Sequence, residues 1–294
     1  HFEVVRELLA GGADLHTVSR DEGASAIFSA AEQGHTELVM YLAARGGDVN
    51  TRSKDGYTPV NIAARGGHVD VIKGLAALGG DLNLRADNGQ SPVFSAALLG
   101  KLDVINVLGS LGADINFPMQ DGTSPIFAAC QTGDAPIIKA LSALGADVNG
   151  SRPDGATPLF MASQHGNVQA VKALVACGAD VNAPMYLAAQ EGHPAVVKAL
   201  YRLGADISTK FGDLSPLDIA GNCGQSQAQV YIQQLLEKIK GECESCGCSS
   251  KKLSVCSRCN KVRYCSRECQ KKDYKRHKTE CAPAAAAPAP AAAE

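Results

Sequence analysis

The stretch from Asp154 to Asn182 holds one complete copy of a unit that recurs along most of the chain. It reads Asp154-Gly155-Ala156-Thr157-Pro158-Leu159, continues through a short helical segment to Gly166 and a second helical segment, and ends in Gly178-Ala179-Asp180-Val181-Asn182. Thr157 is a favourable helix N-cap, and proline suits the first helical position that follows it. Asp154-Gly155 is a turn signal. The unit therefore predicts a turn followed by two short helices.

The unit recurs every 33 residues. The helix-starting prolines keep this period at Pro59, Pro92, Pro125 and Pro158, and so do the mid-repeat glycines at Gly34, Gly67, Gly100, Gly133 and Gly166. The predicted N-caps are Thr58, Ser91, Ser124, Thr157 and Ser215. A unit this short cannot bury its apolar faces alone, so the period predicts a solenoid whose core is formed by stacking.

The period and its glycines resemble the ankyrin repeat over about 80% of the chain. The resemblance implies a mainly α solenoid over residues 1–240, in which helix-turn-helix units are joined by β-hairpins. We expect about seven repeats after a truncated half-repeat at residues 1–20. The sixth repeat is shortened, because Pro184 is two positions after Asn182 whereas Pro158 is nine positions after Asn149.

A second pattern lies between Cys243 and Cys281, where eight potential metal ligands form four close pairs. The pairs are Cys243/Cys246, Cys256/Cys259, Cys265/Cys269 and His277/Cys281. Four pairs make two tetrahedral sets, which is what two structural zinc ions require. A spacing of three suits a tight turn, and a spacing of four places both ligands on one helix face. The sequence therefore predicts two structural zinc ions as cofactors.

This segment, residues 243–281, resembles a MYND-type zinc finger in its ligand spacing and in its closing run from Cys265 to Lys278. The resemblance implies interleaved ligation, with Cys243, Cys246, Cys265 and Cys269 on one zinc and Cys256, Cys259, His277 and Cys281 on the other. Spacing alone leaves two sequential sets open. The family usually has Trp where this chain has Tyr274, and the chain contains no Trp. The Ala- and Pro-rich tail at 282–294 is expected to be disordered.

The MYND resemblance also implies a shallow groove that binds a short proline-containing peptide. The matching residues are Ser257, Gln270 and Tyr274. An aromatic face can pack on a proline ring, while hydroxyl and amide groups bind the peptide backbone. The alternative is that Tyr274 only packs a helix onto the finger.

In the repeats, the ankyrin resemblance implies that partners contact the hairpin tips. The tip residues are Arg52, Lys54, Tyr57, Arg85, Gln90, Met119 and Arg152. The alternative is that they are merely solvated. Two further columns recur once per repeat: Phe28, Asn61, Phe94, Phe127, Phe160 and Tyr186, and Asn50, Asn83, Asn116, Asn149 and Asn182. We expect the first to pack between repeats, with an aromatic groove as the alternative. We expect the second to stabilise turns; the family resemblance also allows asparaginyl hydroxylation.

No catalytic constellation is evident in the sequence. A Gly-rich phosphate loop is absent, no nucleophile pairs with a base, and the ligands fill both zinc sets without leaving a position for a catalytic water. We expect a non-enzymatic interaction scaffold, whose partners are proteins. The alternative is a regulatory protein associated with the ubiquitin system or with a methyltransferase.

Composition narrows the compartment and the class of partner. Seven of the eleven cysteines lie in the zinc pattern, and the others are scattered, which is typical of a reducing environment. We therefore expect an intracellular protein, in the cytoplasm or the nucleus. We also expect it to have no membrane span and to be a monomer. Residues 240–281 contain twelve Lys and Arg against five Asp and Glu, but no aromatic stacking pattern accompanies them, so nucleic acid is not the expected partner.

Overall fold

The computed structural model describes residues 2–181, 184–207, 210, 212–240, 254–255 and 263–264. The helices of this part are α1 (Phe2–Ala10), α2 (Ala26–Glu32), α3 (Thr36–Ala43), α4 (Pro59–Gly66), α5 (Val69–Ala77), α6 (Pro92–Leu98), α7 (Leu102–Ser110), α8 (Pro125–Thr132), α9 (Ala135–Ala143), α10 (Pro158–Gln164), α11 (Val168–Ala176), α12 (Met185–Gln190), α13 (Pro194–Arg202), α14 (Pro216–Asn222) and α15 (Ser226–Lys240). Two strands, β1 (Ser254–Val255) and β2 (Arg263–Tyr264), pair in antiparallel orientation. The predicted mainly α fold is confirmed.

The chain divides into two compact units, His1–Ala179 and Asp180–Glu294. In the N-terminal unit, the first helices of the repeats (α2, α4, α6, α8, α10) pack side by side in a first-helix row. The second helices (α3, α5, α7, α9, α11) form a parallel second-helix row, and each packs against the first helix of its own repeat. In the C-terminal unit α12 contacts α13 and α14, and α15 contacts α13 and α14.

The first helices begin where the sequence predicts, because a polar side chain caps most of them. The Thr58 hydroxyl accepts a hydrogen bond from the Asn61 amide at 3.3 Å, and Ser25, Ser91, Thr157 and Ser215 cap their helices in the same way. Ser124 occupies the predicted N-cap position, but its side chain makes no capping bond among the described residues. Its helix instead begins with the preset φ of Pro125.

The shortened sixth repeat has a weaker helix start. Its first helix, α12, has six residues, and Pro184 takes the N-cap position without a side-chain capping bond in the described part. Asn182 and Ala183 lie outside the described residues. The polar cap that begins α10 therefore has no counterpart in α12.

An asparagine ladder connects consecutive repeats. The Oδ1 atoms of Asn50, Asn83 and Asn116 accept hydrogen bonds from the backbone amides of Asp81, Asp114 and Asp147 at 2.8, 2.8 and 2.9 Å. The side-chain amides of Asn50, Asn116 and Asn149 donate to the carbonyls of Gly79, Gly145 and Gly178. The column was expected to stabilise turns, and it does so by bonding to the turn of the next repeat.

The aromatic column is buried between the repeats, as expected. Phe28, Phe94 and Phe127 are 5%, 5% and 3% exposed. Asn61 replaces the aromatic ring in one repeat, and both ends of its side-chain amide are bonded, since Oδ1 accepts from Thr58 and Nδ2 donates to the Leu84 carbonyl at 3.1 Å. Phe160 and Tyr186 are half-buried, and burial raises the pKa of the Tyr186 hydroxyl. The column therefore packs repeats together rather than lining an open groove.

A column of small residues, one repeat apart, lies in the core of the first-helix row. Its members are fully buried: Ala31, Ala64, Ala97, Cys130 and Ser163. Burial raises the pKa of the Cys130 thiol well above its usual range, so this thiol stays neutral and unreactive. The Ser163 Oγ has no hydrogen-bond partner among the described residues. A polar group without a partner costs free energy in such a core.

None of the helices in the described part is long and apolar enough to cross a membrane.

Replacing Ser163 with Ala should stabilise the N-terminal unit. The change removes a buried, unpaired hydroxyl and adds a better helix former, so we expect a gain of about 1 kcal/mol in the free energy of unfolding. Thermal and urea unfolding, followed by helical circular dichroism, measure it. The matched control is Ser95→Ala, because Ser95 is equally buried but its Oγ donates to Gln90 Oε1 at 3.4 Å. A Ser163→Ala variant no more stable than Ser95→Ala would contradict the assignment.

Replacing Asn116 with Ala should destabilise the stack. The side chain bonds both the Asp147 amide and the Gly145 carbonyl, at 2.9 and 3.0 Å, and two such bonds are worth roughly 1–2 kcal/mol. Asn106→Ala is the control, since Asn106 is exposed on α7 and Ala favours the helix there. Urea unfolding should show a loss for the first variant only. An equal midpoint shift in both variants would show that the ladder contributes nothing.

Candidate functional site

The candidate partner surface is a row of five tight turns in the N-terminal unit, here called the tip row. Each turn is closed by a backbone hydrogen bond: Ser19 to Ala24, Ser53 to Tyr57, Ala86 to Gln90, Met119 to Thr123 and Arg152 to Ala156, at 2.8–3.0 Å. These turns occupy the positions of the expected β-hairpins. Because one turn geometry recurs in each repeat, the predicted tip residues fall into rows that run across the stack.

Arg52 connects two turns. Its guanidinium donates to the Arg85 carbonyl at 3.1 Å and pairs with the Asp87 carboxylate at 2.9 Å. This turn requires glycine at position 56. The φ angle of Gly56 is +76°, and a Cβ there would overlap the side chains of Arg52 and Asp87. Lys54 connects to the preceding turn, where its ammonium donates to the Arg20 carbonyl at 2.5 Å.

Tyr57 and Gln90 belong to one polar network. The Asn88 side-chain amide donates to the Tyr57 hydroxyl at 2.8 Å, and that hydroxyl donates to Gln90 Oε1 at 3.4 Å. The Arg65 guanidinium lies over the Tyr57 ring, 5.2 Å from its centroid. The network holds the Tyr57 ring in place across two repeats.

The remaining tip residues are also engaged. Arg85 donates to the Pro118 carbonyl at 3.2 Å and lies over the Phe117 ring. Arg152 pairs with Asp154 at 2.8 Å, while its Nε is buried without a partner in the described part. Met119 is half-buried, and its backbone closes its turn.

The backbone also joins neighbouring turns. The Lys54 amide donates to the Glu22 carbonyl at 2.8 Å, and the Asp87 amide donates to the Asp55 carbonyl at 2.9 Å. Pro153 has no amide hydrogen and cannot continue this pattern. The Thr123 amide lowers the pKa of Asp121 at the fourth turn, with a smaller contribution from Arg152. The tip row therefore has a fixed backbone and carries ionised groups of both signs.

A second inter-repeat contact lies at the opposite end of the first helices. His68, which begins α5, bonds the Glu32 carbonyl through Nε2 at 2.9 Å, and its ring lies where a Cβ on Gly34 would be. Asn167 similarly donates to the Cys130 and Gln131 carbonyls at 2.9 and 3.0 Å. These side chains cap the helix of the preceding repeat. Sequence reasoning identified the glycine column but not this reason for it.

The seven predicted tip residues thus lie along the tip row. Arg52, Tyr57, Arg85 and Gln90 bond between neighbouring repeats, and Lys54 bonds the preceding turn, whereas Arg152 and Met119 make their contacts within their own turns. The repeat pattern does not predict these connections. A signal was present for one of them, since Arg52 and Arg85 are one period apart and each donates to the carbonyl one period further on.

The predicted metal and peptide residues lie outside the described residues. These are the eight zinc ligands between Cys243 and Cys281, together with Ser257, Gln270 and Tyr274. The described strands β1 and β2 pair Ser254 with Tyr264 and Val255 with Arg263; in sequence, Cys256 and Cys259 fall between them. Seven thiols and one imidazole are a donor set that fits zinc. Among the residues that the structure describes, no group of three His, Cys, Asp or Glu forms another metal site.

Comparison with known proteins supports both modules. The family model of ankyrin repeats matches residues 1–86, 46–119, 93–185 and 126–211. The MYND finger model matches residues 243–281. The crystal structure of the human ASB11 ankyrin repeat domain superposes with a TM-score of 0.63 at 28% sequence identity, covering 71% of this chain and 97% of that one.

Curated relatives match over a shorter stretch. The N-lysine methyltransferase SMYD2 of Sus scrofa and that of Homo sapiens are each 36% identical over 70 residues, which is 24% of this chain and 16% of the relative. SET domain-containing protein 14 of Caenorhabditis elegans is 42% identical over 45 residues, 15% of this chain and 10% of the relative. The SMYD2 matches are confined to the finger region, so they concern the finger and not the rest of those enzymes.

The ankyrin models together span residues 1–211 of the 294, and both modules are interaction modules that bind proteins. The chain belongs to the ankyrin-repeat family and carries a MYND zinc finger at residues 243–281.

Proposed function

We propose that this protein is a non-enzymatic scaffold that holds two protein partners at once. One partner binds the ankyrin stack through the tip row, and the other supplies a short proline-containing segment to the MYND finger. The observation that carries the proposal is the tip row itself, in which Arg52, Tyr57 and Arg85 are held by hydrogen bonds between repeats.

The chemistry of the tip row favours protein recognition. Arg and Tyr are the residues that most often dominate binding energy at interfaces, and the row presents Arg52, Tyr57 and Arg85 on adjacent turns. Their hydrogen bonds to neighbouring repeats restrict their rotamers before a partner arrives. Ordering a long side chain costs about 0.5–1.5 kcal/mol on binding, so this pre-arrangement reduces that cost for each residue.

For the finger, the proposal includes two structural zinc ions in interleaved sets, one held by Cys243, Cys246, Cys265 and Cys269 and the other by Cys256, Cys259, His277 and Cys281. Ser257, Gln270 and Tyr274 would bind the peptide. A proline-rich segment is already extended before binding, so it loses little entropy on docking. Tyr offers less apolar surface than the Trp usual in this family, which favours modest affinity.

A methyltransferase-associated role is the second candidate, because the SMYD2 enzymes share similarity with this chain in the finger. That similarity concerns a module that the scaffold proposal already uses. A methyl-donor binding assay on the purified chain separates the two candidates, since the scaffold proposal predicts no binding of the donor.

Purified, reduced protein should contain two zinc ions per chain. Structural zinc contributes on the order of 10 kcal/mol to the folding of finger peptides, so a chelator should unfold residues 243–281 while the helical signal of the repeats persists. The Cys256→Ala/Cys259→Ala variant should lose zinc. Cys248→Ala is the matched control, because Cys248 lies outside the four ligand pairs and its loss should leave both ions bound.

Metal analysis that finds one ion or none in the unaltered chain would refute the two-zinc assignment. Zinc loss in the Cys248→Ala variant would instead show that the ligand set is wrong.

A Pro-x-Leu-x-Pro peptide should bind the finger with a Kd of about 10–100 µM, near −6 kcal/mol. Titration into the isotopically labelled full chain should shift the amide signals of Ser257, Gln270 and Tyr274. Tyr274→Ala should abolish binding because the face that packs on proline is lost, and Tyr274→Trp should tighten it. Zinc content measured in each variant shows that the finger remains folded. Unmoved signals at millimolar peptide, or undiminished binding by a zinc-loaded Tyr274→Ala variant, would rule out this groove.

A further inference from the structure

A second exposed surface lies at the C-terminal ends of the second-helix row. The residue that ends each helix is leucine in three consecutive repeats, at Leu78, Leu111 and Leu144. Leu78 and Leu111 are 36% and 41% exposed, which is high for leucine in a packed solenoid. Leu144 is half-buried, because its side chain lies against the helix of the preceding repeat at Gly109. These leucines form a line, here called the leucine strip.

The surface beside the leucines has little relief. The residue before each leucine is small and exposed. The residue after each leucine is a glycine with positive φ, and the space next to it is open, since no atom lies within 4 Å of where its Cβ would be. The small residues are Ala77, Ser110 and Ala143, and the glycines are Gly79, Gly112 and Gly145. No long side chain among them stands above the leucine strip, so another chain can approach it closely.

Charged residues border the leucine strip with opposite signs on its two sides. Exposed lysines lie one helical turn before Ala77 and Ala143, at Lys73 and Lys139, and Lys172 holds the same position on α11, the next helix of the row. Residues four apart share a helix face. The equivalent residue on α7 is the uncharged Asn106, and Lys73 also pairs with the exposed Asp70 at 3.6 Å. Three residues after each leucine lies an exposed aspartate: Asp81, Asp114 and Asp147. The strip is therefore an apolar seam between a basic edge and an acidic edge.

The spacing of the leucines along the strip suits a helix. Neighbouring second helices pack directly against each other, and packed helices lie about 8–10 Å apart. Seven residues of an α-helix advance about 10.5 Å. A helix that crosses the second-helix row would thus place one residue of each successive heptad against each successive leucine.

We propose that the leucine strip binds an amphipathic helix of a partner protein. That helix carries leucine or a similar residue once per heptad, an acidic edge that faces Lys73, Lys139 and Lys172, and a basic edge that faces Asp81, Asp114 and Asp147. The opposite charges fix the orientation of the helix on the strip. The surface is distinct from the tip row, so the inference does not depend on the scaffold proposal and adds a third binding surface.

The small extent of the seam favours a helix over a second copy of the chain. A stable interface between folded proteins usually buries about 800 Å² on each partner, and three partly exposed leucines with their small neighbours offer much less than that. A single helix can use a narrow seam, because its apolar stripe is equally narrow.

The test uses a designed, fluorescently labelled peptide of about 28 residues, four heptads with leucine once per heptad and the two charged edges described above. Binding to the full chain is measured by anisotropy at low and at moderate salt. We expect micromolar binding that Leu78→Ser/Leu111→Ser weakens at least tenfold. Leu99→Ser is the matched control, because Leu99 is 44% exposed but ends α6 in the first-helix row, and it should leave the affinity unchanged.

A second variant tests the same proposal without changing the leucines, in case the serine substitutions disturb packing. Lys139→Glu/Lys172→Glu leaves the leucines intact and should weaken binding of the designed peptide, more strongly at low salt. A peptide with the same leucines but two basic edges should bind the unaltered chain more weakly than the designed peptide does, because in either orientation one basic edge faces the lysines, and it should bind this variant more strongly. Circular dichroism unfolding confirms that each variant retains its fold.

Three outcomes would overturn the inference. The first is equal peptide affinity in the Leu78→Ser/Leu111→Ser and Leu99→Ser variants. The second is equal binding of the designed peptide and the peptide with two basic edges, which would remove the charge complementarity. The third is self-association of the chain in sedimentation that Leu78→Ser/Leu111→Ser abolishes, which would assign the strip to a second copy.

Discussion

The stack depends on burial that no repeat can achieve alone. On α5, Val71, Ile72 and Leu75 are at most 1% exposed, and α5 reaches this burial by packing against α4 of its own repeat and α3 and α7 of the neighbouring repeats. Stacking has to keep one spacing and one register, because a shift would place apolar residues in water and leave turn amides unpaired. The asparagine ladder sets this register with two bonds at Asn116, one from each end of its side-chain amide.

A fixed register turns sequence positions into rows on the surface. Every position of the repeat recurs one period later on the neighbouring repeat, so a side chain that appears once per repeat becomes a line across the stack. The tip row and the leucine strip are two such lines on different parts of the N-terminal unit. The tip row combines cations, carboxylates and a tyrosine held by inter-repeat bonds, whereas the leucine strip is apolar and bordered by opposite charges. Two surfaces of different chemistry in one unit support the scaffold function that we propose.

Much of this organisation could be predicted from the sequence, because its causes are local. Thr58 and Thr157 cap their helices as expected, and the turn glycine at Gly56 has the left-handed conformation that its Asp-Gly signal indicates. Ser124 shows the limit of such reasoning: the residue type and position suit a cap, but the side chain does not make the bond. The tip residues lie at the turns between repeats, but the partners of Arg52 and Tyr57 are 31 to 35 residues away and do not follow from the local sequence.

The sequence by itself determined the repeat period, the helix starts, the turns and the spacing of the zinc ligands, because each of these depends on residues within a few positions of one another. Only the tertiary structure decided which side chains bond across repeats, and which remain unsatisfied, as at Ser163. It also showed that the helix-ending leucines stay partly exposed at Leu78 and Leu111. The physical reason is that the bonding partner and the exposure of a side chain depend on the distance between repeats in space. That distance is set by the packing of neighbouring helices, which no single repeat encodes.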